Sequence, residues 1–243
     1  MKKIAIIFAG GKGERMNIAK IPKQFMEIKN KPILCHTVER FENNAQICGI
    51  IVVTAEAWFD YTKDILKNYK KVISVINGGN TALDSQYLGL LELKKILKEE
   101  NAIVLIHDGV RPLINDKLIN DCIDCVIEKG TAITTAPAIE TIIRINEQGD
   151  IIETMDRNFC QLARAPQAFL FEDIFGTHEK AIKEKKHNFI DSATMMQHYG
   201  YTLHSVVGPA ENIKVTTAID FYNCATMLEK EVLKWHIYNK IYL

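Results

Sequence analysis

The stretch that decides the fold reads KIAIIFAGGKGERM and covers residues 3–16. Its first part, residues 3–8, is a short run rich in Ile that ends at glycines, a pattern typical of a buried β-strand. Gly10, Gly11 and Gly13 follow directly. Because glycine lets backbone N–H groups approach a phosphate closely, a glycine-rich turn after a strand is typical of an anion-binding loop. The stretch therefore predicts a strand that leads into a phosphate-binding turn.

Two familiar phosphate-binding motifs do not fit this turn. A dinucleotide-binding fingerprint counted from Gly11 would need glycine at the position of Met16. A P-loop would need Ser or Thr directly after its Gly-Lys pair, and Gly13 follows Lys12 instead. Two interpretations stay open: an anion-binding loop of another kind, or a turn that serves only the path of the chain.

Two cations lie just beyond the first glycines. Arg15 is in the same loop, and Lys23 follows Pro22, whose ring fixes the backbone before it. A single Lys or Arg in a loop is usually solvated and binds nothing. The combination of a glycine turn, two cations and a proline at the end of a strand favours a bound anion.

Short apolar runs alternate with longer amphipathic segments along the chain. The apolar runs are predicted strands, at residues 3–8, 50–53, 72–76, 102–106 and 132–136. Apolar residues three and four apart predict helices at residues 56–69, 81–98 and 116–128. This alternation predicts an α/β fold, with a mostly parallel twisted sheet and helices on both faces. Ligands of such sheets bind beyond the carboxyl ends of the strands, here the loops after Phe8, Ile76 and Ile106.

A hairpin interrupts the alternation. Residues 140–145 and 151–154 are short apolar strands joined by the turn sequence NEQGD. Two strands alone are barely stable, so this arm must lie on its own domain or on a neighbouring subunit. Residues from about 218–242 are predicted to form a helix with many large apolar side chains, docked on its own core or on a partner. Without repeats or a linker, the chain is predicted to be one domain over 1–243, with 138–160 as the arm.

Composition excludes several classes of protein. Lys plus Arg and Asp plus Glu number 30 each, so the formal net charge is zero, which argues against a nucleic-acid binder but not against a small polyanionic ligand. No apolar run reaches the roughly 18–20 residues of a membrane span, and no signal-peptide cleavage site follows Met1. The six cysteines are scattered, which favours reduced thiols in a cytoplasmic protein.

Residues 9–16 and 22–25 together resemble the signature of nucleotidyltransferases that make CDP-activated polyols. This family contains the 2-C-methyl-D-erythritol 4-phosphate and ribitol 5-phosphate cytidylyltransferases. Further matches follow in order along nearly the whole chain, at Lys31-Pro32-Ile33, Gly78-Gly79 with Asp84-Ser85, His107-Asp108-Gly109-Val110-Arg111-Pro112, Asp156-Arg157, Ala165-Pro166-Gln167-Ala168-Phe169, Asp191-Ser192-Ala193-Thr194 and Asn212-Ile213-Lys214-Val215-Thr216. The resemblance implies a Rossmann-like nucleotidyltransferase fold and transfer of CMP from CTP to a polyol phosphate, with release of pyrophosphate.

The resemblance also implies the residues that bind CTP. The attacking phosphate is already an anion, so catalysis needs positioning and charge stabilisation rather than a general base, and Arg15 and Lys23 are the implied catalytic residues. Asp108 is the implied Mg²⁺ ligand, although a turn before Gly109 would also explain it. His107 is predicted to be a packed residue at a strand end. The implied CTP-binding positions are Ala9, Gly10, Gly11, Gly13, Gly79, Ser85, Asp108 and Gly109, with cytosine near Gly79 and Ser85.

The polyol phosphate has its own implied residues, which are Arg111, Thr141, Arg157, Asp191 and Lys214. Two or three cations around a phosphomonoester dianion make physical sense, because Arg binds such a group in bidentate fashion. In the family the arm interlocks two subunits, which implies a homodimer. The sequence departs from the family pattern at Ala82, where Arg is common, and at Ala165, where Thr is common.

The sequence leaves the choice of polyol open. Residues 9–11 and the segment around Trp58 resemble the ribitol-phosphate branch, which supplies cell-surface polymers. Residues 156–157 and 191–194 resemble the methylerythritol-phosphate branch, which supplies isoprenoids. We favour an alditol phosphate such as ribitol 5-phosphate, with methylerythritol phosphate as the alternative. A nucleotide-binding protein without turnover is a further hypothesis, and Met16 argues against a dinucleotide-dependent oxidoreductase.

Overall fold

The structure, a computed structural model, describes residues 1–11, 21–98, 100–186 and 188–229. Gly13 and Arg15 therefore lie outside the described residues, as does the end of the predicted terminal helix. The described part of that helix covers 218–229. No helix among the described residues is long and apolar enough to cross a membrane.

Besides the terminal helix, the described residues form eleven strands and six α-helices. The strands are β1 (Lys2–Ala9), β2 (Glu27–Ile28), β3 (Lys31–Pro32), β4 (Gly49–Thr54), β5 (Val72–Asn77), β6 (Ala102–Asp108), β7 (Thr131–Pro137), β8 (Ile143–Ile145), β9 (Ile151–Thr154), β10 (Gln161–Leu170) and β11 (Ser205–Val207). The helices are α1 (Ile33–Asn43), α2 (Phe59–Leu66), α3 (Ala82–Leu97), α4 (Asp116–Lys129), α5 (Phe171–Lys183) and α6 (Ser192–His198).

A seven-stranded sheet forms the centre of the fold, in the order β11-β7-β10-β6-β1-β4-β5. Strand β1 pairs in parallel with β4 and β6, and β4 pairs in parallel with β5. The predicted mostly parallel sheet is therefore confirmed. One strand differs: β10 runs antiparallel to both β6 and β7. The chain leaves the sheet at the end of β7, forms the arm and returns as β10, and such a hairpin path makes neighbouring strands antiparallel.

Helices cover both faces of the sheet. On one face, α3 buries Leu90 and Leu93 in the same apolar cluster as Ile6 of β1. On the other face, α1 and α4 bury Phe41 and Ile123. The apolar faces of these helices are what the 3.6-residue spacing in the sequence predicts. The two covered faces confirm the α/β class.

Two predicted elements are shorter in the structure than in the sequence pattern. The helix predicted over 56–69 is a 3₁₀ turn at Glu56–Trp58 followed by α2. The first arm strand was predicted over 140–145 and covers only Ile143–Ile145. Within the part of the chain that the structure describes, the arm strands β8 and β9 form their own two-stranded sheet. The division into one domain and an arm stays a prediction.

Candidate functional site

Four strands end at one edge of the sheet. Phe8 pairs with Asp108, Ala9 pairs with Thr54, and Thr54 pairs with Asn77. The loops that follow β1, β5 and β6 therefore leave from the same edge. This is the edge at which the strand order predicts a ligand.

Gln24 fixes the start of the glycine turn. Its side chain is buried, and its amide nitrogen donates to the carbonyl of Ala9 (2.6 Å) and to that of Gly11 (3.1 Å). These two bonds hold the backbone around Gly10 against the segment that carries Lys23. The sequence motif includes Gln24, but nothing in the pattern shows that its side chain reaches back to the turn.

Lys23 begins a short 3₁₀ turn that ends at Phe25. The N–H of Phe25 donates to the carbonyl of Pro22 (2.9 Å), which closes the turn. The Phe25 ring is buried and stacks on Trp58, with 4.9 Å between ring centroids. Lys23 itself is half-buried. The 3₁₀ turn thus places Lys23 above a packed aromatic pair and close to the glycine turn.

The loop after β5 is tied to the first turn of α3. The Ser85 hydroxyl accepts from the N–H of Gly79 (3.1 Å) and donates to the carbonyl of Thr81 (2.9 Å). Thr81 and Asp84 cap α3 through a reciprocal pair of bonds. A Cβ at Gly79 would collide with the Cβ of Asp84, so only glycine fits there. The structure thus brings together Gly79 and Ser85, the two residues predicted to lie near the cytosine. Ser85 has one hydroxyl proton, and it is donated within the loop, to the carbonyl of Thr81.

Asp108, Arg111 and Lys214 form a charged group at the end of β6. Arg111 Nε donates to Asp108 Oδ2 (2.8 Å), and Lys214 Nζ donates to Asp108 Oδ1 (2.7 Å). The side chain of Arg111 is 11% exposed and that of Asp108 is 25% exposed. We call these three residues the edge cluster. Residues predicted from two separate motifs, at 107–112 and 212–216, therefore meet in one place.

The edge cluster controls the ionisation of its carboxylate. Burial alone would raise the pKa of Asp108, but the charges of Lys214 and Arg111 outweigh it and lower this pKa to about 2. The neighbouring His107 is buried, and its burial lowers its pKa to about 4. Its ring packs 5.1 Å from that of Phe41. His107 is thus a packed, neutral residue at a strand end, in agreement with the prediction.

Backbone contacts join the edge cluster to two other segments. Gly109 approaches β1 closely, because its N–H donates to the carbonyl of Phe8 (2.8 Å) and a Cβ would lie 2.8 Å from the same oxygen. Arg111 Nη1 donates to the carbonyl of Asn212 (3.0 Å). Asn212 is fully buried and donates through its amide to the carbonyl of Ala165 (2.7 Å). Sequence reasoning assigned no role to Asn212, which here holds the segment that carries Lys214.

Asp191 lies at the start of α6. Its Oδ1 accepts from the N–H of Thr194 (2.9 Å), and its Oδ2 accepts from the side chain of Gln167 (2.7 Å). Gln167 in turn accepts from the N–H of Ala193 (3.0 Å). Asp191 therefore caps the helix and joins it to β10, a structural role that the sequence did not predict. Contact with a polyol stays a prediction.

Thr141 and Arg157 lie in the arm, and both are exposed. Arg157 Nη1 donates to the carbonyl of Ile139, which is also in the arm (3.3 Å). Both oxygens of Asp108 are instead engaged by Arg111 and Lys214, which lie outside the arm. The described contacts therefore assemble Asp108, Arg111 and Lys214 but leave the two arm residues apart from them.

Asp108, the predicted Mg²⁺ ligand, has a carboxylate that suits a divalent cation. Each of its carboxylate oxygens accepts one cation contact, which leaves lone pairs for a metal ion. Mg²⁺ commonly binds one or two carboxylates together with phosphate oxygens, so the donor set fits it. No three His, Cys, Asp or Glu side chains among the described residues form a metal-binding group. A metal ion here would need oxygens from a bound nucleotide.

The fold and the edge cluster define an α/β protein with a charged group at the end of a parallel strand, the edge at which ligands of such sheets bind. A sequence model of the 2-C-methyl-D-erythritol 4-phosphate cytidylyltransferase family matches residues 3–230. The chain belongs to this family. The family resemblance, the nucleotidyltransferase fold and the prediction of a cytidylyltransferase are thereby confirmed, and the oxidoreductase hypothesis is set aside.

Individual relatives fall on both branches of the family. The ribitol-5-phosphate cytidylyltransferase of Vibrio parahaemolyticus is 43% identical over 221 residues, which cover 90% of this chain and 92% of the relative. The 2-C-methyl-D-erythritol 4-phosphate cytidylyltransferase of Clostridium botulinum is 36% identical over 233 residues, which cover 94% and 98%. The crystal structure of 4-diphosphocytidyl-2C-methyl-D-erythritol synthase from Anaerococcus prevotii superposes with a TM-score of 0.82 at 26% identity and covers 94% of this chain and 96% of its own.

Proposed function

We propose that the protein transfers CMP from CTP to an alditol phosphate, with ribitol 5-phosphate as the preferred acceptor. The edge cluster carries this proposal, because it concentrates two cations and one carboxylate where a nucleotide and a phosphate would meet. The higher identity to a ribitol-5-phosphate enzyme, 43% against 36% for a methylerythritol-phosphate enzyme, supports the choice of acceptor. The product would be a CDP-alditol for cell-surface polysaccharide.

The reaction needs no proton transfer. An oxygen of the acceptor phosphate attacks the α-phosphorus of CTP, and the bond from that phosphorus to the bridging oxygen of the β-phosphate breaks, which releases pyrophosphate. In our proposal Lys23 and Arg15 stabilise charge on the α-phosphate, and the turn that Gln24 holds binds the β- and γ-phosphates. Lys214 and Arg111 lie on the acceptor side.

A divalent cation, for which we propose Mg²⁺, would be held by Asp108. Bound there with triphosphate oxygens, it would neutralise charge on the phosphates and orient them for attack. Asp108 suits this role because its low pKa keeps it ionised at neutral pH. Lys214 already contacts the same carboxylate, at 2.7 Å, and so lies close to where the nucleotide would bind.

We further propose that the protein is a homodimer joined through the arm. The arm exposes the apolar side chains of Ile145, Ile151 and Phe159, the last of which is 89% exposed. Exposed apolar surface of this kind is typical of a subunit interface. A partner's arm would also bring Thr141 and Arg157 to the acceptor site. All six cysteines are free, which agrees with the reducing cytoplasmic location that we propose.

One alternative substrate and one alternative class remain. Methylerythritol 4-phosphate is the acceptor in the name of the Clostridium relative. A nucleotide-binding protein without turnover is compatible with Ala82 and Ala165, which replace residues common in the family. Against it stands the intact edge cluster, in which Asp108 is bound by two cations within 2.8 Å.

The proposal is tested by pyrophosphate release with CTP and Mg²⁺. The acceptor panel contains ribitol 5-phosphate, methylerythritol 4-phosphate, glycerol phosphates and unphosphorylated ribitol as the control. We expect release with an alditol phosphate and none with ribitol, with CDP-ribitol identified by mass. Release with methylerythritol phosphate alone would overturn the choice of acceptor, and no release with any acceptor would overturn the enzyme itself.

A further inference from the structure

Arg164 is a second guanidinium near the edge cluster. It lies in β10, where the pairing with β7 shifts register between Ala163 and Gln167. Its Nη1 donates to the carbonyl of Ala210 (2.8 Å) and to that of Pro209 (3.3 Å). These two carbonyls are the hydrogen-bond partners of Arg164 among the described residues. A guanidinium has five N–H donors, so those on Nε and Nη2 are left for a ligand.

The residues around Arg164 connect it to the acceptor side of the site. It holds the loop just before Asn212, and Arg111 donates to the carbonyl of Asn212 itself (3.0 Å). The two arginines therefore hold the same segment, which continues to Lys214. In the sheet, β10 lies next to β6, whereas the glycine turn follows β1 and the Gly79 loop follows β5. Arg164 is thus on the side of β6 away from the loops proposed to bind CTP.

Among the residues that the structure describes, the charges around Arg164 do not balance. Burial and the charge of Arg111 lower the pKa of Arg164, and Glu211 opposes them. Arg111 and Lys214 already share Asp108, at 2.8 and 2.7 Å. Within the described ranges, three cations thus lie near two carboxylates. Like charges repel each other unless an anion lies between them, so these cations are suited to bind an anion.

We infer that Arg164 binds the phosphate of the acceptor together with Lys214 and so helps to determine which acceptors the enzyme uses. This inference rests on the proposed function. A forked guanidinium matches a phosphomonoester, because two parallel N–H groups can donate to two phosphate oxygens. Lys at the same position would keep the charge but lose the fork.

The test compares Arg164→Met and Arg164→Lys with wild type in steady-state kinetics. For Arg164→Met we expect the KM for ribitol 5-phosphate to rise at least about tenfold, the loss typical of a hydrogen bond to a charged group. The KM for CTP should stay within about twofold, because the loops proposed to bind CTP lie elsewhere. Inhibition by inorganic phosphate, competitive with the acceptor, should weaken in parallel. Arg164→Lys should recover part of the loss. Lys117→Met, an exposed helix position, is the control and should change none of these values.

Other outcomes would separate the inference from the proposed function. An unchanged acceptor KM in Arg164→Met, with an active wild type, would overturn the inference alone. Equal rises in both KM values, together with a lower Tm, would mean that Arg164 only ties down the loop at Pro209 and Ala210, and would also overturn it. If wild type turns over no acceptor, the proposed function fails and the inference fails with it.

Discussion

The edge cluster and the arm differ in how their residues are held. Arg111 of the edge cluster is 11% exposed and is bound to Asp108 and to the backbone of the same chain. Arg157 of the arm is exposed and contacts the backbone of its own arm. Apolar side chains cover the sheet beneath the edge cluster, whereas those of the arm face outward.

This difference indicates that contacts within one chain hold the edge cluster in place but leave the arm without comparable support. The fold alone places Asp108, Arg111 and Lys214, because strand ends and backbone bonds fix them. The arm strands β8 and β9 pair only with each other within the described part of the chain, and a two-stranded sheet is marginal in water. In the proposed homodimer, a partner subunit would supply the contacts that the arm lacks within one chain.

The largest expected effect is outside the arm, at Lys23 beside the glycine turn. Lys23→Ala should lower kcat by about 10²–10³-fold, because a lost cation no longer stabilises charge on the α-phosphate. The Tm should change little, since Lys23 is only half-buried. Lys67→Ala, at an exposed helix end, is the control and should retain full activity. Equal turnover of Lys23→Ala and wild type would remove Lys23 from the mechanism.

Asp108→Asn should come next, with a loss of about 10²-fold in kcat/KM. The amide keeps the shape of the side chain but leaves Arg111 and Lys214 without a counter-charge, and it is a poor ligand for Mg²⁺. The variant should also need more Mg²⁺ for half-maximal rate. Asp121→Asn, in an exposed ion pair on α4, is the matched control. An unchanged Mg²⁺ requirement would contradict the metal role.

The arm is tested by Ile145→Asp. Ile145 is 56% exposed in one chain, and a charge there should separate the proposed dimer and lower activity at least about tenfold, because a buried charge at an interface is costly. Ile127→Asp is the control, since Ile127 is 58% exposed but lies on α4, away from the arm. Light scattering during gel filtration would report the mass of each variant. A dimer that survives Ile145→Asp would move the interface elsewhere.

The smallest effect is expected from Gln24→Leu. The variant leaves the carbonyls of Ala9 and Gly11 without their partner, which should cost about 1–3 kcal/mol of stability. A looser turn should raise the KM for CTP severalfold and leave the acceptor KM unchanged. Urea unfolding and initial rates measure the two effects. Gln197→Leu, an exposed position on α6, serves as the comparison.

The sequence predicted those parts of the site that follow from local pattern. Apolar runs and glycines place the turn after β1 and the carboxylate at the end of β6, and parallel strands bring these ends to one edge. The contacts of Gln24, Asn212 and Arg164 were not predictable, because each reaches a backbone carbonyl remote in sequence. Strand β10 was not among the predicted strands, and its antiparallel direction depends on the return path from the arm.

The proposed division of the site between two subunits is tested most directly with a mixed dimer. Lys23→Ala and Arg157→Ala chains are co-expressed with different tags, and the heterodimer is purified through both. If the arm acts on the partner subunit, one site carries both defects and the other carries none, so the heterodimer should have about half of wild-type activity. Each parent homodimer should be nearly inactive. A heterodimer as inactive as its parents would contradict the shared site.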